Sequence, residues 1–194
     1  LLGFHTFDDV RHFISSATRL TATNNNSNKL EVDGRTVFVE PFPMGIDSNR
    51  FAALSSDEHV LERVAELKLN FGEQKIILSI DRLDYSKGIL QRLEAFALFL
   101  LENPAFHKQV TLYMVVVPSR DTVPQYRGLK DQIDRLVGNI NAQYGSYDWY
   151  PVAYFYHGYP VAEIAALYNM ADVCLVTPMR DGMNLVSKEY IASR

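Results

Sequence analysis

Thr177-Pro178-Met179-Arg180-Asp181-Gly182-Met183-Asn184-Leu185-Val186-Ser187-Lys188-Glu189-Tyr190 follows the apolar run Ala171 to Val176. That run predicts a buried strand, and the apolar-periodic residues from Met183 predict a helix. Gly182 lies between them, where backbone can approach a ligand closely. The amides of Met183, Asn184 and Leu185 are then expected at a helix start, which is an anion site. Asp181 and Glu189 bracket that start eight positions apart. One can face a ligand at the helix mouth and the other a ligand along the first two turns. The arrangement suits a phosphate flanked by two hydroxyl-rich groups, as in a sugar nucleotide.

Upstream, the β-branched run Ile76-Ile77-Leu78-Ser79-Ile80 leads into Asp81-Arg82-Leu83-Asp84-Tyr85-Ser86-Lys87-Gly88, and a helical pattern follows from Ile89 to Leu101. Arg82 and Lys87 therefore sit on a strand-to-helix loop, where open parallel sheets bind ligands. Arginine can fork onto two phosphate oxygens, and lysine supplies a mobile point charge. The glycine spacing of a nucleoside-triphosphate P-loop is absent. Either cation alone reads as solvated surface; two such loops on one sheet favour a site. Asp81 and Asp84 are the nearest pair of carboxylates for a metal. Cations in the same loop make a metal unnecessary, and none is expected.

Four segments carry a family resemblance: Leu1 to Thr6 (LLGFHT), Pro43 to Asp47 (PMGID), Arg82 to Gly88 (RLDYSKG) and Thr177 to Tyr190 (TPMRDGMNLVSKEY). Together they resemble the trehalose-6-phosphate synthases, retaining glycosyltransferases of GT-B architecture. The resemblance implies an α/β fold: mostly a C-terminal Rossmann-like parallel sheet with helices on both faces, plus the end of an N-terminal Rossmann-like domain. It implies a boundary near Ile46, with 1–46 closing the acceptor-side domain and 47–194 forming the nucleotide-sugar domain. The implied reaction moves glucose from UDP-glucose to glucose 6-phosphate with retention. Arg82 and Lys87 would take the diphosphate and stabilise it as it leaves. Asp181 would meet hydroxyls of the transferred glucose and Glu189 those of the ribose. Gly182, Met183, Asn184, Leu185 and Val186 would line the donor. Val115 and Tyr159 match uracil-pocket positions, and Arg120 matches the arginine for the acceptor phosphate. The acidic pair is not read as a glycosidase acid and nucleophile, because its expected partners are hydroxyls.

Composition bounds the rest. The chain has 194 residues, 47% of them hydrophobic, enough for a sizeable core. It begins at Leu1 and ends at Arg194 within expected elements, and so reads as a fragment with a further domain expected before it. A net charge of −4 argues against a general nucleic-acid or acidic-membrane surface. Five histidines and one cysteine give no metal-ligand cluster. Cys174 reads as a small buried hydrophobe, and one cysteine fits a reducing, cytoplasmic location.

Periodicity predicts a helix from Phe7 to about Leu20 capped by Thr6, a loop from Thr23 to Lys29, and a strand from Arg35 to Glu40. Strands and helices then alternate. Helices are expected at Ser55 to Leu69, Ile89 to Leu101, Val123 to Tyr144 and Val161 to Asn169, with strands at Ile76 to Ile80, Val110 to Val117, Val152 to Tyr156 and Ala171 to Val176. Gly138 is expected to kink or end the long helix. Arg127 with Asp131, and Asp131 with Arg135, stand at pairing distance on it. His5 and Trp149 read as capping or packing residues. Two rival functions stand beside the synthase. One is a catalytically inactive regulatory subunit that binds sugar phosphates or an active partner; the other is a different GT-B transferase. Oligomers, or complexes with a trehalose-phosphate phosphatase or a regulatory subunit, are compatible with either of the synthase-like readings.

Overall fold

The computed structural model describes residues 1–21, 25–120 and 122–194. Thr23 and Asn24 of the expected loop lie outside the described residues. Two compact units form, Leu1–Ile46 with Gly182–Leu185, and Asp47–Asp181 with Val186–Arg194.

In the first unit, β1 (Leu2–Phe4), α1 (Phe7–Thr21), β2 (Asn25–Asn26), β3 (Lys29–Val32) and β4 (Arg35–Pro41) follow in order. The sheet runs β1-β4-β3-β2, with β1 parallel to β4. Thr6 caps α1 as expected: its hydroxyl accepts from the Asp9 amide at 3.1 Å. Val10, Leu30 and Val39 make the core, with Phe4, Phe13 and Ile14 packed around them. The expected loop is corrected at its second half, where Asn25–Asn26 pairs antiparallel with β3. Such a short polar edge strand has no hydrophobic period to reveal it. The β3–β4 hairpin turns through Asp33 (φ 48°) and Gly34 (φ 73°), the left-handed pair that a two-residue hairpin requires.

The second unit holds α2 (Ser48–Ser55), α3 (Glu58–Phe71), β5 (Lys75–Arg82), α4 (Ile89–Glu102), β6 (Val110–Val117), α5 (Pro124–Tyr144), β7 (Val152–Phe155), α6 (Val161–Met170), β8 (Val173–Cys174) and α7 (Leu185–Ala192). Its sheet is wholly parallel in the order β7-β6-β5-β8. The chain starts at β5, steps outward through β6 and β7, then returns to the other side of β5. The order thus reverses between β5 and β8, and that is where an open α/β sheet leaves a crevice at its carboxyl edge.

Alternation along the strands builds two cores. Leu112, Met114 and Val116 of β6 pack with Leu93, Phe96 and Leu100 of α4 and with Leu129, Ile133 and Val137 of α5. Tyr113, on the opposite face of β6, meets Phe71 of α3 edge-on at 5.9 Å. Helices therefore cover both faces. Trp149 is core as expected, its Nε1 donating to the Val110 carbonyl at 3.0 Å.

Several expected elements are corrected. The helix expected from Ser55 to Leu69 begins only at Glu58 and runs to Phe71, because Asp57 takes extended backbone and caps α3 by accepting from the His59 and Val60 amides, and α2 before it was not expected. An apolar count sees no break there, since the capping residue is part of the polar face. The buried strand Ala171 to Val176 is only Val173–Cys174, and it lies at the edge of the described sheet with Val173 half exposed. The last helix begins at Leu185 and not at Met183. Gly138 leaves α5 unbroken, and the intrahelical ion pair on α5 is Lys130–Asp134, while Arg127 donates to the Thr122 carbonyl.

Candidate functional site

β5 ends by delivering Asp81 and Arg82 to the crevice. Arg82 is exposed, and Leu83 turns inward, its amide bonded to the Val117 carbonyl at 2.8 Å. Asp84 then caps a 3₁₀ turn over Tyr85–Lys87, accepting from the Ser86 amide at 2.9 Å and the Ser86 hydroxyl at 2.8 Å. Although partial burial opposes it, those two bonds and one from Tyr126 hold the Asp84 carboxyl below the usual carboxylate range. The turn closes on Gly88 at φ 64°, ψ 32°. A β-carbon there would lie 2.7 Å from the Thr177 carbonyl oxygen, so both the left-handed backbone and the space demand glycine.

That close approach fastens the two loops together. The Ser86 carbonyl accepts from the amides of Met179 at 2.8 Å and Arg180 at 3.2 Å. Beyond them, Lys87 Nζ reaches Asp181 Oδ2 at 2.5 Å, with the two side chains 14% and 16% exposed. The structure thus brings together a cation and an acid that lie 94 residues apart in the chain. Glu189, in α7, accepts through Oε2 from the Tyr168 hydroxyl at 2.7 Å. Burial, reinforced by that carboxylate, pushes the Tyr168 phenol far up, so it stays a donor.

Arg120 follows β6 with left-handed backbone, φ 54°. Its Nη1 donates to the Tyr126 hydroxyl at 2.8 Å, and that hydroxyl donates to Asp84 Oδ2 at 3.3 Å. The expected acceptor arginine is therefore joined, through one buried tyrosine, to the residue that caps the Lys87 turn. Tyr85 packs edge-on against the same tyrosine at 5.5 Å.

Other expected residues fall differently. Val115 is fully buried in β6. Tyr159 stacks edge-on with His157 at 4.3 Å, on the loop after β7. Met183 and Asn184 precede the helix, whose first residue is Leu185. Cys174 is half-buried, and burial pushes its thiol up to about 11, against any nucleophilic role.

Sequence reasoning missed Arg92. It is 3% exposed in α4 and donates to Asp81 Oδ2 at 2.6 Å, Thr177 Oγ1 at 2.9 Å and the Lys87 carbonyl at 3.0 Å, and also to the Ser79 hydroxyl. Burial holds the Asp81 carboxyl above the usual carboxylate range against the pull of Arg92, and its Oδ2 is committed to the Arg92 guanidinium. Asp84 is likewise committed as a cap, so the candidate metal pair has other occupations. Among the described residues, no group of three or more His, Cys, Asp or Glu side chains converges on a point.

The sequence pattern of glycosyltransferase family 20 matches residues 1–194. The chain belongs to glycosyltransferase family 20. It is 45% identical over 193 residues to the Candida albicans alpha,alpha-trehalose-phosphate synthase [UDP-forming], covering 99% of this chain and 40% of that one. A Burkholderia xenovorans synthase of the same description, solved in complex with glucose-6-phosphate, superposes with a TM-score of 0.94 at 32% identity, over 100% of this chain and 43% of that one. An E. coli structure bound with UDP-2-fluoro glucose gives the same TM-score of 0.94 and 32% identity, again over 100% and 43%. The chain thus spans about two fifths of the length of these family 20 relatives. Its fold is α/β of GT-B type.

Proposed function

We propose that the protein carrying this chain transfers glucose from UDP-glucose to glucose 6-phosphate with retention, forming α,α-trehalose 6-phosphate and UDP. The observation that carries the reading is the Lys87–Asp181 contact at the point where the strand order reverses. There one loop offers cations and the other an acid, at the carboxyl edge where nucleotides bind. Lys87 and Arg82 neutralise the diphosphate and grow more favourable as the leaving group gains charge, which is electrostatic catalysis. Lys87 leaves Asp181 for the diphosphate, and Asp181 turns to the hydroxyls of the transferred glucose. Glu189, steadied by Tyr168 through Oε2, presents Oε1 to the ribose diol, whose two hydroxyls suit the two lone pairs of that oxygen. Arg120 takes the acceptor phosphate, and the acceptor hydroxyl gives its proton to the departing phosphate.

No metal takes part in this scheme, and a cytoplasmic location is part of the proposal, a setting that a single cysteine fits. Because Arg82, Lys87, Arg120, Asp181 and Glu189 are all present, the inactive-subunit reading is the weaker one. In the complete protein, Lys87→Ala and Arg82→Ala should each weaken UDP binding by roughly 1.5–3 kcal/mol, the worth of a hydrogen bond to a charged group. Calorimetry showing unchanged UDP affinity in both would remove the phosphate clamp. Exhaustive chelation should leave turnover intact; activity lost and restored by a divalent ion would return Asp81 and Asp84 to consideration.

A further inference from the structure

Arg92 stands on the apolar face of α4, among Ile89, Leu93 and Phe96, all buried. A charge at such a position is costly unless every donor is used, and its guanidinium fork spreads across both sides of the crevice. Nε holds the Thr177 hydroxyl at 2.9 Å, the first residue of the stretch that carries Asp181. Nη2 holds the Lys87 carbonyl at 3.0 Å, fixing the backbone whose side chain meets Asp181. Nη1 is anchored to β5 through Asp81 Oδ2 at 2.6 Å. We propose that Arg92 is a positioning residue for donor binding: it sets the spacing between the Lys87 turn and the Thr177–Asp181 stretch, so that Lys87 meets the diphosphate and Asp181 the glucose of one donor. This rests on the donor reading given above.

Asp81 neutralises the guanidinium, so Arg92 acts through geometry and adds little field at the phosphates. Lysine in its place would keep the charge and lose the fork, because one ammonium cannot reach three acceptors in a fixed plane. Buried ion pairs are weak evidence for stability in themselves, which makes a role in placing the loops the more telling one. The network is also directional in its effect. It touches the two loops that carry Lys87 and Asp181 and leaves alone the Tyr159 loop, the expected nucleoside side.

The test uses the complete protein with Arg92→Lys and, as a milder change that keeps the buried pair, Thr177→Val. UDP and uridine are titrated calorimetrically into each, beside Lys87→Ala and with melting temperatures recorded. Arg92→Lys should weaken UDP about tenfold or more, as misplaced site groups do, while uridine affinity stays unchanged. Thr177→Val should shift UDP in the same direction by less. Equal losses for UDP and uridine would show a general structural role and overturn the inference. So would unchanged UDP affinity in both variants while Lys87→Ala loses it. If Arg92→Lys does not fold, Thr177→Val decides alone. Unchanged UDP affinity in Lys87→Ala as well would bring down the donor reading itself.

Discussion

Arg120 keeps a left-handed backbone that an unbranched side chain adopts only when its surroundings insist. Tyr126 is part of that insistence, accepting from the guanidinium while donating to Asp84. Tyr126→Phe should therefore raise the KM for glucose 6-phosphate by about three- to tenfold, less than the full worth of a bond to a charged group because Tyr126 positions Arg120 and does not itself hold the phosphate. Arg120→Ala should raise it by about ten- to a hundredfold. UDP affinity should change little in either, and steady-state kinetics with each substrate varied in turn distinguishes these outcomes. Impaired UDP binding with a normal acceptor KM would place Arg120 on the donor side instead. Gly88→Ala has no such selectivity: the clash at 2.7 Å is with backbone, so it should cost more than about 1 kcal/mol and lower UDP affinity together with stability. Arg82, Lys87, Asp181 and Glu189 could be noticed in the sequence because each stands in a motif. Tyr126 could not, since a helix tyrosine acquires meaning only from what it touches, and Thr177, although inside a motif, shows its role only through its contact with Arg92. Arg92 had one readable signal, a charge three residues after Ile89 on an otherwise apolar stripe.

At the level of elements, the strong periods were legible and the weak ones were not. β6 coincides with its apolar run because a strand buried on both faces is continuous in hydrophobicity. Periodicity places the start of α3 at Ser55 and not at Glu58, because Asp57 works through a capping bond, which no period reports. β8 shrank because only two residues pair with β5, and an apolar run cannot tell a strand from the extended chain beyond it. The expected kink at Gly138 failed for a physical reason: helix propensity penalises glycine by about 1 kcal/mol, whereas α5 packs its apolar face on the sheet along its length. Nothing lies within 4 Å of a β-carbon at that position. Gly138→Ala should thus stabilise the complete protein by roughly 0.5–1 kcal/mol in denaturant unfolding. Leu93→Ala, at 0% exposure on α4, should cost about 2–5 kcal/mol by the same measurement. A neutral Leu93→Ala would mean that α4 is not the core helix described.

For the molecule as a whole, the acids set the direction of its pH dependence. Burial opposes it in both, yet bonds from Ser86 hold Asp84 low, and bonds from the Ile76 amide and Lys75 hold Asp172 low. A depressed carboxyl stabilises the fold fully above its unfolded value of about 3.9, and that contribution is lost as pH falls through the lower folded value. Asp84→Asn and Asp172→Asn should accordingly lower the melting temperature at neutral pH, with both differences shrinking toward about pH 3. Differences that persist or grow in acid would contradict the assignment. The alternation of strands and helices was legible at this scale. Which strand neighbours which was not, because the sequence does not record that β8 returns to lie beside β5. That return has a consequence in time. A ribosome adding about 5–20 residues per second needs roughly 5–20 s to travel the 94 positions from Lys87 to Asp181. Within that interval β6 and then β7 are made and can join β5 while half of the crevice has yet to be made. The nascent sheet must therefore hold on its own packing, and ligand can assist only after Asp181 has left the exit tunnel.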